Sequence, residues 1–413
     1  MKRAIVLSGG GARGAYQMGV WKALRKLNIK YHIVTGSSVG ALNGALMTQN
    51  TYFKGLWFWY NIKSDSVFRG KNIHKISSKE SNKEICKKCF KAIVEDRGLE
   101  CSCLEETIDK ILDEDKLRNS KIDFGLTTFN LTTLKPIKLT KKDVPKGKLR
   151  DYLMASATCF PAFKKKNIDG EHYIDGAYYD NLPMNLAVEM GADEIIAVDL
   201  KSLGFKRKLK EKNIKVTYIK PRNKLVFFLV FHKHAARRGI RLGYNDTMKT
   251  FNKLDGDKFT FKHGNLTKNY KRYKTKLEKE LNRLMDNKKS SAIGKVLKAT
   301  YKKEISIDNL TKIIDFLGKS FELNDSLIYD IDKFNKILSD KISKMEPVDK
   351  KTIKQKIKSG NIKGLIKERN MIKYIYDEIE TYNKVKSSKE LSNITLLFPK
   401  EFLAAIYLFV INK

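Results

Sequence analysis

No stretch constrains the fold more than Thr35-Gly36-Ser37-Ser38-Val39-Gly40-Ala41, where a β-rich run (Tyr31, His32, Ile33, Val34) passes directly into a small-residue run of helical character, Ala41 to Leu46. A strand that turns this sharply into a helix needs neighbours without bulk, and Gly36 and Gly40 bracket Ser38 in the Gly-x-Ser-x-Gly spacing that supplies them. Such a turn stands the Ser38 hydroxyl at the strand end. Behind it, a helix N-terminus aims unpaired N–H groups and partial positive charge at the place where an oxyanion would form. Ser38 is therefore the candidate nucleophile.

A second turn of the same kind precedes it. Ala4-Ile5-Val6-Leu7 reads as a buried strand, then comes the loop Gly9-Gly10-Gly11-Ala12-Arg13-Gly14, and then a helix with Met18, Trp21, Leu24 and Leu27 on one side. Gly9, Gly11 and Gly14 match Gly-x-Gly-x-x-Gly, a spacing that also serves dinucleotides in this context. That use needs an acidic residue about twenty positions further on, whereas the first acidic residue of the chain is Asp65. The loop reads instead as a cluster of N–H groups around Gly10 and Gly11 that faces Ser38 across the strand ends. Arg13 reads equally well as a brace for the loop and as a contact for a phosphate headgroup.

Further along, Lys121 to Thr133 alternates as a core strand, with Leu134 to Thr140 as its hairpin partner. Asn167-Ile168-Asp169-Gly170 reads as a hairpin turn, and the returning His172-Tyr173-Ile174 delivers Asp175 at a strand end, followed by Gly176 and Ala177. Asp169 is assigned to the turn itself. Glu194 to Leu200 and Lys215 to Ile219 read as further strands, and the alternation of β and α units predicts a mainly parallel sheet with helices on both faces.

The glycine loop of residues 9–14, Gly36-Ser37-Ser38-Val39-Gly40 and Asp175-Gly176-Ala177 together resemble, in order and separation, the three signature motifs of the patatin-like phospholipase family. Ala155-Ser156-Ala157, Phe160-Pro161 and Asp180-Asn181-Leu182-Pro183 are similar to the family's supporting text. The resemblance covers roughly residues 1–265 and implies a three-layer α/β/α fold and a serine lipid acyl hydrolase of phospholipase A type, without a cofactor. It implies Ser38 as nucleophile, Asp175 as its partner in a dyad, and Gly9, Gly10, Gly11, Ala12, Arg13 and Gly14 as the oxyanion hole. Gly36, Gly40, Gly176 and Ala177 would support these motifs. At the level of residues, His232, His234 and His263 also follow the acid in the chain, as a Ser-Asp-His order requires. Two other functions stay open: a general carboxylesterase or acyltransferase without membrane preference, and a catalytically silent binding protein.

Residues 64–120 read as a Lys-rich insertion into the first domain, covering one edge of its sheet. Cys86, Cys89, Cys101 and Cys103 fall within it and offer the four thiolates of a tetrahedral zinc site. The Cys-x-Cys spacing of the second pair departs from that pattern, so free thiols and no metal are expected. Just before the insertion, Phe53, Trp57 and Tyr60 share one helical face, which predicts that this face packs in the core although an aromatic belt of this kind also suits a lipid interface. Apolar residues recur at helical spacing beyond Leu266, as in Leu310, Ile313, Ile314 and Leu317, and predict an all-helical accessory domain over residues 266–413. The apolar run Phe402 to Ile411 is expected inside that domain.

Composition bounds the partners. The formal net charge of +37 makes an anionic membrane surface or an acidic partner plausible, although lysines scattered along a Lys-, Ile- and Asn-rich chain also describe an ordinary solvated surface. A lipid substrate and peripheral contact with anionic membrane are expected, and nucleic acid is not. Met1 runs straight into a core strand, so no signal peptide is expected. No apolar run approaches the ~20 residues that span a bilayer, and few cysteines fit a cytoplasmic location. Oligomeric state is not legible.

Overall fold

A computed structural model describes residues 1–67, 84, 87, 91, 94–95, 98–285, 305–349, 353, 355, 368–385 and 397–413 of the 413-residue chain. The chain divides into two compact units, Met1–Thr250 and Phe251–Lys413.

The first unit is built on an eight-stranded sheet. Its parallel part runs β8 (Lys215–Ile219), β7 (Glu194–Val198), β1 (Arg3–Leu7), β2 (Ile33–Ser37) and β3 (Asp123–Asn130). Ala4 to Leu7 and Glu194 to Val198 are buried on both faces, as strands of a covered parallel sheet must be. On one face, Ala4, Val6, Ile33, Ile195 and Ala197 pack against Leu182 and against Met184 and Ala187 of the short helix that follows it, α7 (Met184–Glu189). The other face carries α1 (Ala15–Lys26), α2 (Val39–Thr48), α6 (Leu149–Ala157) and α8 (Lys233–Thr250). There Ala41 and Ala45 of α2 and Leu149 and Leu153 of α6 close over Phe124 and Leu126. The small residues of α2 let it lie low on the sheet. A Cβ at Gly40 would stand 2.8 Å from the Ser8 carbonyl oxygen, so no larger side chain fits there.

The length of β3 brings two strand ends together. β3 outruns β2: Ser37, the last residue of β2, lies opposite Thr127, and β3 then continues to Asn130. On its other edge β3 carries the antiparallel β4 (Lys135–Thr140) along Gly125–Asn130. The hairpin β5 (Lys166–Ile168) and β6 (Glu171–Asp175) turns through Asp169 and Gly170, both at positive φ, and β6 pairs antiparallel with Thr128–Asn130. Since β4 occupies one edge of β3 throughout, β6 must take up the edge that β2 vacates. The two strands meet end to end, Ser37 opposite Thr127 and Asp175 opposite Thr128.

The described part of the 64–120 insertion contributes α4 (Ser102–Ile111) and α5 (Glu114–Arg118). Cys86 and Cys89 lie outside the described residues. Cys101 and Cys103 are free thiols, and among the described residues no group of three or more His, Cys, Asp or Glu is placed to hold a metal.

The second unit is mainly helical but not entirely so. Leu254–Asp255 (β9), Thr260–Lys262 (β10) and Ile328–Tyr329 (β11) form a small three-stranded sheet. Its first two strands fall before residue 265, in a stretch assigned from sequence to the first domain, and short two- and three-residue strands carry too little periodicity to be read. Around the sheet stand α9 (Asn265–Met285), α10 (Ile307–Ser320), α11 (Ile331–Ser343), α12 (Glu368–Val385) and α13 (Pro399–Ile411). The last is buried from Phe402 to Val410, as its apolar circumference predicts. Tyr407 on α13 donates to Asn335 Oδ1 (2.8 Å) and accepts from Asn269 Nδ2 (3.0 Å), so its buried hydroxyl is satisfied. Among the described residues no helix is long and apolar enough to cross a membrane.

Candidate active site

Ser38 sits between β2 and α2 with φ 55° and ψ −132°, a conformation that non-glycine residues adopt only when their surroundings enforce it. Two features do so here. The Ser38 N–H donates to Ser156 Oγ at 2.9 Å, and Ser156 Oγ in turn donates to the Thr127 carbonyl at 2.7 Å, which ties the turn to β3. A Cβ at Gly36 would stand 2.6 Å from the Ala41 nitrogen, so the strand can double back on its helix only with glycine there.

Asp175, at the end of β6, is 2% exposed. It accepts a hydrogen bond from the Ala177 N–H at 2.8 Å, and the Ser38 hydroxyl lies close enough to favour its charged form. Burial of the carboxyl raises its pKa to about 7, and the neighbouring Ser38 hydroxyl and the Ala177 N–H oppose that shift without cancelling it. Near neutral pH the group is therefore poised between its two forms. Gly176 admits this approach, because a Cβ there would come within 2.7 Å of Ser37 Oγ.

The glycine loop packs on the turn that carries Ser38, where a Cβ at Gly9 would lie 2.8 Å from Ser38 Cβ. Its six residues are not equivalent. Gly9 N–H is held by Asn181, through Oδ1 at 2.9 Å and the carbonyl at 3.2 Å; Ala12 N–H donates to the Phe228 carbonyl and Arg13 N–H to the Gly10 carbonyl. The N–H groups of Gly10 and Gly11 have no acceptor among the described residues, and both residues line the cavity in front of Ser38. Arg13 is a brace: its guanidinium donates to the carbonyls of Val226 (3.0 Å) and Lys201 (2.9 Å), fastening two later loops to the glycine turn.

The cavity extends from Ser38 and Asp175 along one face of α2, touching Val39, Leu42, Leu46 and Gln49. From Val39 to Gln49, ten rises of 1.5 Å make this about 15 Å. Opposite walls come from Phe58 and Trp59 of α3 (Tyr52–Asn61), Leu104 and Ile108 of α4, and Phe227, Phe228 and Phe231 ahead of α8. The lining is overwhelmingly apolar. At the far end Gln49 is held by Asp113 N–H, which donates to Oε1 at 2.8 Å. Nearer Ser38, Asn43 bridges Gly14, Gln17 and the indole N–H of Trp59, locking the loop, α2 and α3 together.

Cys159 also lines the cavity beside Asp175, and burial pushes its thiol up to about 12, which leaves it inert. None of the described histidines lines the cavity; His172 lies on β6, His232 and His234 at the start of α8, and His263 in the second unit. Asn181 and Ser156 as positioning residues, and α4 as a cavity wall, were not legible beforehand. The first two carry no signal beyond their motif neighbourhood, and α4 lies in a segment that reads from sequence only as an edge-covering insertion.

Comparison with known proteins gives one family. Residues 5–188 match the family model described as patatin-like phospholipase. Among curated proteins, lysophospholipase NTE1 of Mycosarcoma maydis is 27% identical over 208 residues, covering 49% of this chain and 10% of that protein. Human patatin-like phospholipase domain-containing protein 6 is 29% identical over 204 residues, covering 48% and 13%. The matched region thus spans only about a tenth of the length of these relatives. Among solved structures, VipD from Legionella pneumophila aligns over 99% of this chain and 91% of its own, at TM-score 0.38 and 15% identity. The type III effector protein ExoU aligns over 91% and 77%, at TM-score 0.30 and 10% identity.

Proposed function

We propose, for a chain whose residues 5–188 make up a patatin-like phospholipase domain, that it is a lipid acyl hydrolase which cleaves carboxylic esters of phospholipids or related lipids through Ser38 and Asp175. The observation that carries this reading is the placement of Ser38 and the buried carboxyl of Asp175, its pKa raised to about 7, together on the lining of one long apolar cavity.

In the ionised form Asp175 accepts the hydroxyl proton while Ser38 Oγ attacks the ester carbonyl carbon. Negative charge develops on the carbonyl oxygen, toward which the Gly10 and Gly11 N–H groups are free to donate without reorganising. The tetrahedral intermediate collapses, the C–O bond to the alcohol breaks, and the leaving oxygen takes the proton from Asp175. Water then attacks the acyl-serine while Asp175 accepts its proton; the C–Oγ bond breaks, the fatty acid leaves, and Asp175 returns the proton to Ser38 Oγ. The apolar cavity along α2 accepts the acyl chain, and hydrophobic contact there favours lipid esters over short ones. Substrate reaches the protein at anionic membrane surfaces, in keeping with the net charge of +37, and the free thiols of Cys101, Cys103 and Cys159 suit a cytoplasmic, peripherally bound protein.

The test is mass spectrometry after reaction with a fluorophosphonate ester. Labelling at Ser38, lost in Ser38→Ala together with hydrolysis, is expected. Labelling at another residue, or hydrolysis that survives Ser38→Ala, would overturn the assignment.

A further inference from the structure

The helix that walls the cavity on its inner side is aromatic on its outer side as well. On α3, Tyr52, Gly55 and Trp59 are buried, whereas Phe53 is 75% exposed, Trp57 69% and Tyr60 36%. The three exposed residues follow at i, i+4 and i+7, so their rings form one stripe. This corrects the expectation that the face packs in the core: the helical period was right, and the face that points inward is the one carrying Trp59. A contiguous stripe of large rings in water marks a surface that something covers.

The rim of the stripe is basic. Lys54 and Lys63 are exposed beside it, and Arg237 of α8 stands 5.3 Å from the Tyr60 ring centroid while its Nε donates to the Tyr60 carbonyl. α8 packs alongside both α1 and α3. Residues 1–64 and 222–245, which supply α1, α3 and the first part of α8, contain no Asp or Glu at all.

We propose that this outer face of α3, Phe53, Trp57 and Tyr60 within their basic rim, is the surface by which the protein docks on an anionic lipid bilayer. Aromatic rings settle at headgroup depth, and cations around them meet the anionic headgroups. The proposal rests on the lipid hydrolase reading for its biological sense, because docking here brings the cavity within one helix diameter, about 10 Å, of the bilayer. Pairing with a second copy across a twofold axis is disfavoured, since it would press two rims of Lys54, Lys63 and Arg237 together.

Trp57 provides the probe. The chain has three tryptophans, and the other two, Trp21 and Trp59, are 1% and 2% exposed. The full chain is titrated with phosphatidylcholine vesicles with and without phosphatidylserine. Trp57 emission is expected to shift to the blue on the anionic vesicles and to be quenched by brominated acyl chains. Trp57→Phe should lose the signal yet still sediment with the vesicles. The double variant Phe53→Ser/Trp57→Ser should lower partitioning by about ten-fold or more while hydrolysing a soluble short-chain ester at the wild-type rate, as neither residue lines the cavity. Undiminished sedimentation of the double variant, or unquenched Trp57 in vesicle-bound protein, overturns the docking face. So does a dimer in solution that these substitutions dissociate, which would assign the stripe to a second copy. A wild-type protein inert toward every ester, but quenched on vesicles, would instead remove the hydrolase reading and leave the docking face standing.

Discussion

Replacing Asp175 by asparagine should destroy activity and, above neutral pH, stabilise the fold. The carboxyl is 2% exposed and its pKa stands at about 7 in the folded chain, against 3.8 for an ordinary aspartate. Between those two values the unfolded chain has released the proton and the folded chain has kept it, so stability falls as pH rises and levels off above about 7. The full cost of ionising the buried group is about 4 kcal/mol, of which more than half accrues between pH 5 and pH 8. The carboxamide of Asp175→Asn has nearly the same shape, can accept from the Ala177 N–H, and does not titrate, so it escapes this cost. The difference in melting temperature between variant and wild type should therefore widen by about 5–10 °C from pH 5 to pH 8 for a unit of this size. Differential scanning calorimetry at the two pH values measures it directly. Titration of other groups, including Asp180, which burial also raises, to about 6, is common to both proteins and drops out of the difference. Hydrolysis by the variant should fall by about 10²–10⁴-fold through loss of the general base. A gap in melting temperature that stays constant across this range would refute the buried, proton-holding carboxyl and with it the proton-transfer role argued for Asp175.

The same pKa predicts that kcat/KM of the wild type rises with pH through about 7 as Asp175 ionises, measured with an ester whose own hydrolysis is slow over that range; a flat profile would contradict it. Leu46→Trp should block the cavity partway along α2, lowering turnover of long-chain esters by about ten-fold or more while sparing acetate and butyrate esters, as a series of p-nitrophenyl esters would reveal. Asn181→Ala removes the closer of the two acceptors of Gly9 N–H and the side-chain donor to Ser202 Oγ and the Leu203 carbonyl. It should cost about 1–3 kcal/mol in stability and lower kcat more than it raises KM. Cys101 and Cys159, both pushed up to about 12, should react with iodoacetamide at pH 8 about 10³-fold more slowly than an exposed thiol, and intact-mass kinetics on native protein would detect faster labelling.

The residues themselves carried the local geometry. Gly36 announces a tight strand-to-helix turn because a Cβ there meets the backbone of Gly40 and Ala41, a clash written in the immediate sequence, whereas Gly40 and the glycine loop are hemmed in by distant segments such as Ser8, Leu200 and Phe228. The run of α13 was likewise legible as a buried helix, since no side of it is polar. Which segments meet was not written there. The end-to-end meeting of β2 and β6 depends on β3 being longer than one neighbour and on β4 holding its other edge, and each of these is a pairing between distant segments. The outward turn of Phe53, Trp57 and Tyr60 was hidden for a related reason. Periodicity states which side chains share a face, and only packing against α1 and α8 decides which face is inside. The raised pKa of Asp175 is likewise tertiary, because desolvation is a property of the surrounding atoms and not of the residue that titrates.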